Sequence, residues 1–431
     1  MEKTQLVRDW RGRDYLVGDT PQNLIKRPRS WMFWLPWAAM AAIGPMQYGY
    51  AAAVPALARE RGWPLVATLA PLAAWIVCQA AVALPTALLL RRGALGVRPA
   101  LWAGSLCSGA ALLTVALAGD VTAVFAGYAL LGGVGGGLVY GACTEAVARW
   151  YPERPAARVG FTTGAFAYGT APLAMAAGLD GGALRPLFAT AAAVALVAVG
   201  AAAAFVRLPP RHWWPGHIDP LAWAHDRVAL RREPRAVREF SLGQALRTGS
   251  LPTLVTVLVC AGAVSIFDVV ALATSDDLSP WAAVALLLVL NGAGRACAML
   301  AAEVAGRGRT LSAVLALLCL GQLLLAWGAV TGSAAMVLVA TVPAGLGGGA
   351  FYPLIASLVR EYFGEEHTAS IHGVVYSAKA VAGLVGVGLA ALALTSSDHA
   401  GTFFLAAVPV LAATALSVTL RQPGHPVTVP R

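Results

Sequence analysis

Two cations stand where a cation is most costly. Arg295 occurs in "LNGAGRACAML" and Lys379 in "VVYSAKAVAGL", each inside a long run of apolar residues. Of the three lysines in the chain, the other two, Lys3 and Lys26, belong to a polar N-terminal stretch. A charge at the centre of a membrane-spanning helix costs about 2.5–3.5 kcal/mol on insertion scales, so both side chains are expected to face the protein interior or a wet cavity. Guanidinium grips a carboxylate through two parallel hydrogen bonds, and ammonium binds it as a point charge. Acids that could neutralise these cations are few. Glu145 lies one helical turn before Arg149 and is expected to pair with it. Asp268 lies near the end of its own apolar run, where it could approach Arg295 or serve as a proton site. Otherwise the interior holds two cations and no clear counter-anion, and the economical reading is that the anion is the substrate.

The neighbours suit an anion pocket. Residues three, four and seven apart share a helix face, so His372, Tyr376 and Lys379 form one polar stripe, continued by Gly383. Asn291 precedes Arg295 by one turn, and Gln47-Tyr48 offers an amide and a phenol. Tyr140 and Tyr352 supply further donors and flat walls. His372 joins Asp268 as a candidate for carrying a proton.

The elements that must hold these residues are membrane spans. The chain of 431 residues is 58% hydrophobic and 12% charged, with mean hydropathy +0.69; a soluble domain carries about 25% charged residues. Twelve apolar runs, near 31–55, 66–90, 98–118, 121–147, 157–178, 185–206, 251–273, 281–303, 310–329, 334–359, 369–394 and 400–420, are each long enough to cross a hydrocarbon core of about 30 Å. The net charge of +10 is not a nucleic-acid footprint, because 26 of the 31 Lys and Arg residues fall in alternate connections and the two tails. The remaining connections hold only Arg59, Arg61 and Arg185. This positive-inside bias predicts a multi-pass protein of the cytoplasmic (inner) membrane with both termini in the cytoplasm. All six cysteines lie in apolar runs without a pairing pattern, and no removable signal peptide is evident.

The organisation expected is an N-terminal tail over 1–30, a six-span half over 31–206, a central loop over 207–250, a second six-span half over 251–420 and a tail over 421–431. The basic central loop is expected on the inner membrane face, against anionic lipid. The halves are related by a shift of 212 residues, which lays Gly133, Gly135, Gly136, Gly137 and Tyr140 on Gly345, Gly347, Gly348, Gly349 and Tyr352. Val147, Glu153 and Ala157 then meet Val359, Glu365 and Ala369. A displacement of six spans preserves orientation, as in the parallel halves of a transporter. The glycines are read as close helix packing. "GGVGGG" precedes no GK[ST] and cradles no phosphate, and no nucleophile motif is present. No enzyme activity, cofactor or metal is therefore expected.

With these residues the sequence resembles a carrier of the major facilitator superfamily, specifically the oxalate/formate antiporter family, which is related to the monocarboxylate transporters. The likeness rests on "MQYGY", "GGVGGGLVYGACTEAVARWYPERPAARVGF", "EFSLGQALRT", "NGAGR" and "YSAKAVAGL", and extends over about residues 31–420. It implies an all-α membrane fold of twelve transmembrane helices in two six-helix pseudo-symmetric halves. It also implies that Arg295 and Lys379 bind substrate carboxylates, with Gln47, Tyr48, Tyr140, Tyr352 and Tyr376 as lining. Two departures are noted. "LLLRRGALGVRP" lacks the acid usual in the superfamily's gating motif, whereas "EVAGRGR" retains one in Glu303. Gly348 replaces an aromatic residue, which predicts a roomier pocket.

The function expected is exchange of small carboxylates, oxalate- or formate-like, by alternating access of a functional monomer among membrane lipids. In that scheme the two unliganded cations repel and favour an open cavity, and a bound dianion permits closure. A proton-coupled symporter of lactate- or pyruvate-like acids, using Asp268 or His372, is the nearest alternative. A carboxylate sensor without flux is the alternative of another class.

Overall fold

A computed structural model describes residues 5–425 apart from 11, 180–183, 233, 275–279, 366 and 397. The loops over 180–183 and 275–279, and the tail beyond 425, therefore lie outside the described residues, as do the charges Lys3, Arg11 and Arg431. Ten helices among the described residues are each long and apolar enough to cross a membrane, Val121–Trp150 among them with a π-helical segment at Phe125–Leu131. They are Leu65–Arg92 (span 2), Val97–Leu117 (span 3), Val121–Trp150 (span 4), Leu184–Phe205 (span 6), Ser250–Ala273 (span 7), Trp281–Ala305 (span 8), Arg307–Thr331 (span 9), Ala334–Phe363 (span 10), Ser370–Thr395 (span 11) and His399–Val418 (span 12).

Spans 1 and 5 are not the continuous helices that their apolar runs suggest. Span 1 is Trp31–Gly44, a π-helical turn Pro45–Gly49, and Tyr50–Arg61. Pro45 brings no N–H to the ladder, so the hydrogen bonds are redrawn there. The redrawn turn is the one that carries Gln47 and Tyr48. Span 5 is Pro155–Tyr168 followed by Ala171–Leu179. Its break falls at Gly169 and Thr170, just before Pro172, which has no N–H to give to the turn that precedes it.

The repeated glycines do what the sequence suggested. A β-carbon at Gly133 or Gly137 would strike span 2 at Cys78 or Val82, and one at Gly135 would meet Ser108 of span 3. In the second half, Gly345 lies against Leu290 of span 8 and Gly347 against Leu318 of span 9. Span 4 thus nests between spans 2 and 3 as span 10 nests between spans 8 and 9, the arrangement close helix approach requires. Between the halves, Gly164 of span 5 lies backbone to backbone with Gly292 of span 8, and Gly383 of span 11 abuts Ile76 of span 2.

The described ends of the chain and the central loop gather on one face. There the loop also makes contacts of its own. It builds a cap with the N-terminal residues, in which strands Gln5–Arg8 and Asp14–Val17 form an antiparallel hairpin. Leu16 continues the pairing, donating its N–H to His212 at 2.7 Å and accepting from Trp214 at 3.0 Å. Arg29 forks onto Glu153 at 2.8 and 2.7 Å, while Arg13 at the hairpin reaches Glu365 at 3.7 Å. Glu153 and Glu365 are the repeat-related pair, so the N-terminal segment holds the same position in each half.

Ion pairs also tie this face together. Glu145 binds Arg149 at 2.7 Å, as expected, and Arg91 at 3.0 Å. The "LLLRRGALGVRP" connection therefore keeps a charged contact to span 4 although it lacks an acid of its own. Glu303 at the end of span 8 takes Arg154 from the other half at 2.5 Å and Arg232 at 3.3 Å. Burial works against ionisation of Glu365, but the guanidiniums of Arg360 and Arg13 outweigh it and hold its carboxyl at about 2, below the ordinary 4.5. A carboxyl depressed in the folded protein contributes stability above its ordinary value and loses it as pH falls through the lowered one. The hairpin is expected to stay docked at pH 5 and to loosen between about pH 4.5 and 2; amide exchange over residues 5–17 that is unchanged across that window would contradict this contact.

Candidate functional site

Lys379 leaves span 11 toward the first half and is 4% exposed. Its Nζ donates to Oε1 of Gln79 at 2.8 Å and to Oε1 of Gln47 at 3.0 Å. The rings of Phe166, Tyr376 and Trp75 surround it at 5.7, 5.8 and 6.0 Å, presenting π faces that attract a desolvated cation. Gln79 also donates through Nε2 to the Tyr376 hydroxyl at 3.2 Å.

Arg295, 3% exposed, crosses the same boundary from span 8. Its Nη1 donates to the carbonyl of Thr163 in span 5 at 3.0 Å. Its Nη2 donates to the Tyr48 hydroxyl at 3.3 Å and to Asn291 Oδ1 at 3.2 Å. The guanidinium sits 5.3 Å from the centre of the Tyr352 ring, and its buried Nε–H has no hydrogen-bond partner among the described residues. Tyr48 also packs its ring edge-on at 5.5 Å against Phe166, one of the rings around Lys379.

Toward the face with the termini, Tyr140 and Tyr376 stack at 5.5 Å and cap a cavity of about 220 Å³. That vestibule is bounded by Arg91, Glu145, Arg307, Arg360 and His372. It lies beside a wider chamber of about 1710 Å³ under the hairpin and central loop. On the opposite side span 2 packs closely against span 11, at Ile76 and Gly383.

Eight of the residues singled out in the sequence converge here: Arg295, Lys379, Gln47, Tyr48, Tyr140, Tyr352, Tyr376 and Asn291. Their parts differ from expectation in several ways. Asn291 is occupied on both sides, since its Nδ2 donates to Ser265 Oγ at 3.3 Å while its Oδ1 holds Arg295. Through the second bond it holds the guanidinium in place. The extra room expected at Gly348 is taken up, as a β-carbon there would lie 3.3 Å from Ser265 Oγ and 3.5 Å from Asn291 Nδ2. His372 lies beyond the Tyr140–Tyr376 stack in the vestibule, its ring 5.9 Å from that of Tyr376. Asp268 does not reach Arg295. It is 1% exposed and takes Nε2 of Gln322, on span 9, at 2.9 and 3.0 Å to its two oxygens.

The cations are not a bare repelling pair either, because neutral oxygens ligate both. Sequence reading missed Gln79, Trp75, Phe166 and the Thr163 carbonyl. One signal was available for the first. Gln47, Gln79 and Gln322 are the glutamines within apolar runs, and each is the partner of a buried ionisable side chain.

Two six-helix bundles closing over a buried polar centre define a secondary-carrier architecture. The model of the Major Facilitator Superfamily matches residues 36–386 and again 271–431. The chain belongs to this superfamily, whose members are membrane transporters and not enzymes. The crystal structure of the human organic anion transporter MFSD10 (TETRAN) is similar with a TM-score of 0.61 at 18% identity, covering 93% of this chain and 100% of that one. This is a likeness of fold. A comparison with curated proteins gave no match.

Asn291 offers a direct check on how the guanidinium is held. Losing a hydrogen bond to a charged group costs about 1.5–3 kcal/mol. Asn291→Leu is therefore expected to destabilise the folded protein by about 1.5–3 kcal/mol, read as a lowered melting temperature of the purified protein; an unaltered melting temperature would remove Asn291 from this role.

Proposed function

We propose that the protein is a secondary active transporter that exchanges small carboxylates of the oxalate/formate type by alternating access. It works in the cytoplasmic membrane, with both termini in the cytoplasm, as a monomer among lipids. The single observation that carries this reading is the pair Arg295 and Lys379, buried at one centre with only neutral oxygens and aromatic faces as partners among the described residues. Buried charges demand a counter-charge or full hydrogen bonding. A carboxylate supplies the missing negative charge, bidentate on the guanidinium and as a point partner for the ammonium. Tyr48, Tyr140, Tyr352 and Tyr376 then form walls, and Gln47 offers an amide. The solved relative that is named an organic anion transporter supports the same class of cargo.

Two cations favour a substrate with two carboxylates, or two small monoanions in turn. The stacked Tyr140–Tyr376 pair acts as the gate toward the cytoplasm, and the contact of span 2 with span 11 closes the opposite side. A second reading, proton-coupled symport of a monocarboxylate, is favoured by Asp268, a buried carboxyl held by the amide of Gln322.

Counterflow in proteoliposomes with oxalate, formate, lactate, malonate and succinate tests both readings. Exchange without a proton requirement supports the first, and acid-driven uptake without a counter-substrate supports the second. Replacing Lys379 by Gln removes one of the two charges and is expected to lower dicarboxylate exchange by at least about 100-fold while sparing a monocarboxylate relatively. Dicarboxylate exchange at the normal rate in that variant would sink the proposed site.

A further inference from the structure

We infer that this carrier also conducts net transport of its carboxylate, because oxygens of the first half can stand in for the substrate on the cations of the second. The inference rests on the exchange reading above and adds a second transport mode to it.

Arg295 and Lys379 both belong to the second half. Of their five hydrogen bonds, four go to the first half: to Gln47, Gln79, the Thr163 carbonyl and the Tyr48 hydroxyl. The fifth goes to Asn291 on the same helix as Arg295. An obligatory exchanger must resist closing unless cargo is aboard. A simple way to enforce that is to leave its binding cations without acceptors when the halves meet, since an unpaired buried charge is strongly disfavoured. Here the halves meet with each cation already donating to oxygens across the interface, and with aromatic faces around Lys379. Closure around the cations alone is thus provided for by residues of spans 1, 2 and 5. The π-helical turn of span 1, which sets Gln47 and Tyr48 side by side, serves both cations at once.

None of these stand-in groups is an acid. A carrier that returns without a dianion therefore moves two positive charges through part of the membrane field, whereas one that returns with a dianion moves none. Net flux should respond to membrane potential, and dianion-for-dianion exchange should not.

The test uses the full chain in proteoliposomes loaded with the radiolabelled carboxylate that counterflow selects from oxalate, formate, lactate, malonate and succinate. Efflux is followed into buffer with and without the same unlabelled carboxylate outside, at zero and at imposed potential. For the wild type, efflux without external substrate is expected within about tenfold of exchange; for a dicarboxylate, it should be potential-dependent. Gln79→Leu removes one acceptor of Lys379 and should lower the ratio of net efflux to exchange by about tenfold or more, whatever it does to either rate alone. Brisk wild-type exchange with net efflux below about one hundredth of it would overturn the inference, as would an unchanged ratio in Gln79→Leu. Absence of counterflow with all five carboxylates would instead overturn the exchange reading itself.

Discussion

A cation buried between helices must be given oxygens, and much of the centre of this protein follows from that requirement. Lys379 takes two amide oxygens and three ring faces, and Arg295 takes a carbonyl, a phenol and an amide. Supplying them from both halves demands departures from regular helix. The π-helical turn at Pro45–Gly49 brings two consecutive side chains to the two cations. The carbonyl of Thr163 serves Arg295 while Thr163 Oγ1 is turned back on Gly160. Glycines at 164 and 292 let spans 5 and 8 approach closely enough for that carbonyl to be within reach.

The same centre links chemistry to motion. The groups that would bind an anion are the groups that join the halves, so binding and closure draw on one set of hydrogen bonds. Gln79 extends that set through its bond to Tyr376, which stacks on Tyr140. On the face with the termini a second layer of contacts spans the halves. The pair Arg154–Glu303 joins them directly. The N-terminal segment does so at a distance, through Arg29 on Glu153 and Arg13 on Glu365. That the two glutamates are repeat-related suggests how one tail can address both halves in the same way.

Some parts of this arrangement were legible in the sequence because they are individually costly. An arginine or lysine within twenty apolar residues announces a buried polar centre, and tyrosines at repeat-related places announce its walls. The glycine runs announced close packing and aligned the halves. Other parts carried weaker signals. Gln79 is polar but uncharged, and in a helix read alone it resembles any tolerated amide. Asp268 could be recognised as buried but not assigned a partner, because Gln322 lies 54 residues away on a different span. The N-terminal hairpin has no long apolar run to betray it; its pairing with the residues after span 6 arises only when both reach the same face.

The sequence alone determined that this chain is a twelve-span membrane protein of two related halves, and that two cations must be shielded within it. Hydropathy and charge cost are properties of residue type and run length, so they can be read without coordinates. Only the tertiary structure decided what shields those cations. A backbone carbonyl has no letter in the sequence, and an amide becomes a ligand only when another helix brings a charge to it. The lysine in "VVYSAKAVAGL" is therefore held by the half of the protein to which it does not belong.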